Sequence, residues 1–211
     1  MLEIYLFINP LGSRCFRCER DVLKIDHQLN TKVNYRFIPF FNMATIQQTI
    51  EFYHLDPRSL AVRQNVSNTI YRVILDYMAA SFQGKKRGRQ FLLMLQDALI
   101  KEDSNYSDSL VKNIALQSKL DLKMFLEDRN STLAKKTFHQ DQQFAQSLGI
   151  TRPSTAVVFD TKQSHYGFLL NNFDYETLIT AYKNKQLEND PSIANFVKHY
   201  QSRPLTKTMQ K

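Results

Sequence analysis

Strand character lies near the two ends of this chain and is missing between them, and that distribution restricts the fold more than any single motif. Leu2 to Ile8 (LEIYLFI) is a short apolar run stopped by Asn9-Pro10, which reads as a buried strand. From about Ser13 the spacing turns helical, with Phe16, Val22, Leu23, Ile25 and Leu29 on one broad face. Val33 to Phe41 (VNYRFIPFF), rich in β-branched and aromatic residues, is a second strand. Pro39 puts it near an edge or at its end. The opening is therefore β-α-β, and two parallel strands require a right-handed crossover.

From about Ala44 to Leu148 the pattern is helical throughout. Ile70, Val73, Ile74 and Tyr77 recur at helical spacing, as do Phe91, Leu92, Leu95 and Leu99 after Gly84. Ser107, ahead of Leu110, Val111, Ile114 and Ala115, has the place of an N-cap, as does Asp121 before LKMFLED. Ser131 can start a further helix through Ala134, Phe138 and Ala145. These stripes are core and carry no chemistry. Strand character returns in Thr155 to Asp160 (TAVVFD) and His165 to Leu170 (HYGFLL), an antiparallel hairpin around a short turn. Asp174 then caps a helix through Leu178, Ile179 and Tyr182. The tail has one amphipathic stretch (Ile193, Phe196, Val197, Tyr200) and ends in a basic segment, SRPLTKTMQK, expected to be mobile.

The order β-α-β, helices, β-β-α is the thioredoxin layout interrupted by a helical insertion. The predicted fold is α/β, with a thioredoxin-fold domain split between 1–43 and 149–188. The all-helical insertion occupies 44–148, and a C-terminal helix and basic tail occupy 189–211. A length of 211 residues suits one such domain with a large insertion. No stretch approaches the roughly 20 apolar residues that span a bilayer. MLEIYLFINP has no basic leader, so it does not read as a signal peptide, and the chain is expected in the cytoplasm. A net charge of +8 favours acidic partners. Lys85, Lys86, Arg87 and Arg89 cluster in GKKRGRQ, but no nucleic-acid-binding motif accompanies them, so the cluster reads as a solvated first turn of a helix.

The only two cysteines, Cys15 and Cys18, form a C-x-x-C in NPLGSRCFRCER. In a reducing compartment such a pair is redox-active, metal-binding or idle. A reactive dithiol needs its nucleophile at a helix N-terminus, where amide N–H groups and the dipole stabilise thiolate. Ser13 is the best N-cap, which puts Cys15 in the first turn and Cys18 about one turn deeper. Residues three apart on a helix have Cβ atoms about 5–6 Å apart, whereas a disulfide wants about 3.5–4.5 Å. Closure there costs strain; were Cys15 the cap, the pair would be normal. The sequence favours the first arrangement. Zinc would need two further ligands, and His27, His54, His139, His165 and His199 are scattered, so no metal and no cofactor is expected. Walker, G-x-G-x-x-G and G-x-S-x-G motifs are absent. Arg152-Pro153-Ser154 enters the third strand where a cis proline would let the preceding backbone face a bound peptide, beside the Gly12–Cys15 loop.

LEIYLFINPLGSRCFRCE resembles the opening of DsbA-family thioredoxin folds, most closely that of the Spx adaptor family, whose strand runs into D-P-L-C-P-x-C-W. AASFQGKKRGRQFLLMLQDALI and YSDSLVKNIALQSKLDLKMFLED resemble that family's helical insertion, and GITRPSTAVVFD its cis-proline loop and following strand. Pro10 and Leu11 match the pattern. Gly12 falls on the family's first cysteine, Ser13 on its proline, Cys15 on its second cysteine and Phe16 on its tryptophan. Cys18 has no counterpart, so the apparent C-x-x-C is shifted by three and the nucleophile position is a glycine. The resemblance implies a cytoplasmic adaptor that binds the transcription regulator Spx and promotes its degradation by the ClpXP protease. The binding face would be Gly12, Ser13, Arg14, Arg152, Pro153 and Ser154. The alternatives are a thiol-disulfide oxidoreductase or isomerase using Cys15 and Cys18, and a glutathione-dependent enzyme using the amides of Gly12 or Ser13.

Overall fold

The structure is a computed structural model that describes residues 1–160 and 167–183. Its four-stranded sheet has the order β2-β1-β3-β4. Strand β1 (Leu2–Ile8) pairs in parallel with β2 (Val33–Pro39) and antiparallel with β3 (Thr155–Asp160), and β3 pairs antiparallel with β4 (Gly167–Leu170). The expected β-α-β and hairpin are both present. The β2 strand lies at an edge and stops at Pro39, two residues before the expected end. Residues 165–166 of the expected fourth strand and the whole 189–211 tail lie outside the described residues.

Strand β1 is buried on both faces, which is why its sequence is apolar almost without a break. Period-two alternation sends Leu2, Ile4, Leu6 and Ile8 to the main core, with Val22 and Ile25 of α1 (Ser13–Gln28). Phe7 points the other way, into a smaller core with Ile38, Ala145, Ile150 and Val157. Each fully buried Leu, Ile or Phe contributes about 1.5–3 kcal/mol, so this strand anchors both layers.

Between β2 and β3 run α2 (Met43–Phe52), α3 (Leu60–Phe82), α4 (Lys85–Gln96), α5 (Asp108–Gln117), α6 (Leu122–Asp128) and α7 (Thr132–Ser147). A π-helical turn, Asp97–Lys101, extends α4. The caps read from sequence are made: Ser107, Asp121 and Ser131 accept from the backbone N–H groups of Leu110, Met124 and Ala134. Asp174 likewise caps α8 (Tyr175–Lys183), accepting from Thr177 N at 2.8 Å. Lys85, Lys86 and Arg87 are exposed in the first turn of α4, while Arg89 lies over the Tyr35 ring, 4.5 Å from its centroid. Helices α3 and α4 meet at Gly88, where a Cβ would come 2.7 Å from Ser81 Cα. Arg129 fastens α6 to α3 and α5, donating to Asp76 from Nε (2.6 Å) and to Asp108 from Nη1 (2.8 Å). Tyr106 donates to the same Asp76 at 2.6 Å.

Candidate functional site

The loop between β1 and α1 is built around Asn9, a fully buried polar residue. Its Nδ2 donates to Thr49 Oγ1 (2.9 Å) and Thr45 O (3.3 Å) on α2, and its Oδ1 accepts from Leu11 N (3.1 Å). Asn9 O accepts from Gly12 N at 3.0 Å. These bonds close a tight turn that delivers Gly12 to the start of α1. Gly12, not Ser13, is the N-cap, with extended backbone (φ −93°, ψ 120°) and no side-chain bond to the first turn. Ser13 is thus the first helical residue. The expectation was off by one, because Asn9 sets the turn and a glycine can cap through its backbone alone.

Cys15 therefore stands in the first turn of α1 and Cys18 one turn on, both buried and unbridged. Their thiols differ in their nearest backbone partners. Cys15 Sγ accepts from Asn9 N at 3.1 Å and lies 3.1 Å from Ser154 Oγ. Cys18 donates to Phe173 O at 3.0 Å. Burial pushes the Cys15 thiol up to about 12, and the hydrogen bonds of Ser154 and Asn9 pull it only part of the way back. Burial likewise pushes Cys18 up to about 11. A working dithiol requires the opposite shift on its attacking thiol.

The segment before β3 closes the other side. Ser154 N donates to Phe7 O and Ser154 O accepts from Phe173 N, both at 2.8 Å. Ser154 is buried and sits at φ 61°, in the left-handed region. Pro153 is buried beside it, and Arg152 is exposed. No peptide bond among the described residues is cis, so Arg152–Pro153 is trans, contrary to the expectation of a cis proline. The turn into β3 is made by the positive φ of Ser154 and its bonds to Phe7 and Phe173. Arg14 donates to Asn172 O at 3.3 Å. Gly12, Ser13, Arg14, Cys15, Pro153 and Ser154 thus gather around the end of β1, with Cys18 one helical turn behind.

Two further residues shape the site and were not singled out from sequence. Glu19 is fully buried one helical turn after Cys15, and Gln96 at the end of α4 donates to Glu19 Oε1 (2.8 Å) and to Pro10 O (3.2 Å). Burial pushes the Glu19 carboxyl up to about 8. Its i+4 spacing from Cys15 was the available signal.

A layered α/β sheet carrying this loop at the N-terminus of its first helix defines a thioredoxin-type protein. The profile of the thioredoxin family matches residues 5–181, and the chain belongs to that family. Among curated proteins it is similar to the ClpXP adapter protein SpxH of Bacillus cereus. The two are 26% identical over 208 residues, which covers 86% of this chain and 68% of that protein. Among solved structures it is similar to a putative protein disulfide isomerase from Nitrosomonas europaea (TM-score 0.64, 13% identity, covering 87% of this chain and 98% of that one). It is also similar to the oxidoreductase DsbA from Xylella fastidiosa (TM-score 0.52, 13% identity, 96% and 87% covered). The fold is a DsbA-like thioredoxin fold with a helical insertion, as expected from the order of elements. No helix among the described residues is long and apolar enough to cross a membrane.

Proposed function

We propose that this chain is a non-catalytic adaptor, which binds an Spx-like transcription regulator and promotes its degradation by ClpXP in the cytoplasm. The observation that carries this reading is the state of the cysteines. Gly12 falls where the resembled family has its first cysteine, and the two thiols are buried, hydrogen-bonded and shifted away from thiolate. A loop with no attacking sulfur still offers a folded partner a surface in which Gly12 and Ser13 are half-buried and Arg14 and Arg152 exposed, backed by the buried Pro153 and Ser154. Docking of that kind needs shape and charge complementarity and no electron transfer. The similarity to SpxH, a ClpXP adapter, supports the same choice. The net charge of +8 adds long-range attraction for an acidic partner.

The test is Spx turnover by purified ClpXP under reducing conditions, without adaptor, with this protein, and with its Cys15→Ser, Cys18→Ser double variant. Equal acceleration by both forms is expected. Acceleration by the unaltered protein alone would mean that the thiols gate the activity. No acceleration by either form would overturn the adaptor reading and favour a thiol-disulfide oxidoreductase using Cys15 and Cys18.

A further inference from the structure

The side chains of Glu19 and Gln96 meet behind the Pro10–Gly12 loop, and each keeps one buried oxygen without a partner, Glu19 Oε2 and Gln96 Oε1. The amide nitrogen of Gln96 is fully used, donating to Glu19 Oε1 at 2.8 Å and to Pro10 O at 3.2 Å. If Glu19 were ionised, both remaining oxygens would be acceptors with no donor, a costly state for buried groups. A proton on Glu19 Oε2 is the one donor that the pair lacks. It would complete the two-bond ring of a carboxylic acid with an amide, so that Glu19 accepts from Nε2 and donates to Oε1.

We propose that Glu19 is a neutral carboxylic acid at neutral pH, and that its proton, shared with Gln96, locks the Pro10–Gly12 loop against α4. Burial of Glu19 acts in the same direction, raising its carboxyl to about 8, while Gln96 and Arg20 offset only part of that rise. The other titratable or charged groups near Glu19 are Cys15, Cys18 and Arg20 on α1 and Tyr77 on α3. The two thiols and the Tyr77 hydroxyl are all pushed up by burial and stay neutral through pH 8. Arg20 is held by both oxygens of Asp97, at 2.7 and 2.8 Å. Of the neutral groups in this set, Glu19 is the one that titrates near physiological pH. Its ionisation would set a carboxylate against the amide oxygen of Gln96, and that repulsion would weaken the hold of Gln96 on Pro10 O, so the docking loop loosens as pH rises. The lock holds whatever the partner proves to be.

Glu19→Gln tests this, because a second amide keeps the shape and supplies the missing donor without titrating. The folded value lies above the unfolded one of 4.5, so the native state keeps a proton that the unfolded chain has released. Between about pH 5 and pH 8 the wild type should therefore lose stability relative to Glu19→Gln in urea titrations. The loss approaches tenfold in the folding constant per pH unit and flattens above about pH 8. Asp141, the other raised carboxyl with an unpartnered oxygen, is present in both proteins and cancels. Amide exchange of the segment 9–14, corrected for intrinsic rate, should match at pH 7 and be faster in the wild type at pH 9. Parallel stability profiles across the whole range would overturn the proposal, and so would equal loop exchange at pH 9. A further measurement is the infrared carbonyl band of a protonated carboxyl, taken as wild type minus Glu19→Gln because burial raises Asp76 and Asp141 as well. Its presence at pH 7 and loss by pH 9.5 are expected, and its absence at pH 7 refutes a neutral Glu19.

Discussion

Alkylation of the native cysteines gives the most direct reading of whether this thioredoxin face retains chemistry. At pH 7 a thiol with a pKa of about 12 is thiolate in only about one molecule in 10⁵, against about 3% for a free cysteine near 8.5. Ionisation alone therefore slows reaction of Cys15 by roughly three-thousandfold, and by the same arithmetic Cys18, at about 11, by roughly three-hundredfold. Access adds a second barrier, since each thiol is only 2% exposed. The experiment is iodoacetamide labelling followed by intact mass, at pH 7 and pH 8.5, in buffer and in denaturing urea. No label in buffer over a time that fully labels a free thiol, and two labels in urea, is the expected pattern. Labelling of either cysteine in buffer at a free-thiol rate would refute the argument. It would show a thiol that is neither buried nor raised, and the oxidoreductase alternative would then regain its footing.

Gly12→Cys creates a C-x-x-C with Cys15. The backbone at position 12 is extended and accepts any residue, but the new Cβ meets Asn9 Cβ and O at 3.3 Å, and Asn9 is too firmly held to yield freely. A loss of about 1 kcal/mol in urea titrations is expected from that overpacking. The introduced thiol, at a helix N-terminus, should alkylate with a pKa below 8.5; a pKa above 9 would contradict the assigned cap. In the insertion, Arg129→Met leaves Asp76 buried and unpaired and should cost about 3–5 kcal/mol, with Arg129 and Asp76 being 5% and 1% exposed. Adding Asp76→Asn should recover much of that loss, and an equal loss in single and double variants would show that the charge pair is not the cause.

The sequence was most legible where a residue's role is settled by its neighbours along the chain. The caps Ser107, Asp121, Ser131 and Asp174 each bond three residues ahead, and the first two strands declare themselves by apolar and β-branched or aromatic residues that stop at Asn9-Pro10 or Pro39. It was least legible where a polar side chain is buried by a distant segment. Glu19 was passed over because a glutamate on a helix is ordinarily solvated, and only the arrival of Gln96 from α4 makes its burial tolerable. Asn9 looked like a strand terminator; the two bonds of its Nδ2 depend on where α2 lies. The Arg152–Pro153 peptide was misjudged for a related reason. The turn that follows it is set by Ser154, pinned between Phe7 of β1 and Phe173 of a loop far away in sequence.

On the proposed reading Gly12 leaves the nucleophile position without a sulfur, so Cys15 would have no mixed disulfide to resolve, and in the structure it packs instead. It now accepts from Asn9 N and meets Ser154 Oγ, joining the loop that begins α1 to the segment that begins β3. Those two segments carry the proposed docking residues Gly12, Ser13, Arg14, Arg152, Pro153 and Ser154. Keeping the thiol neutral and buried thus holds the docking face together, whereas a reactive thiolate would require opening that face to solvent. A surface used for recognition gains from the first state and loses from the second.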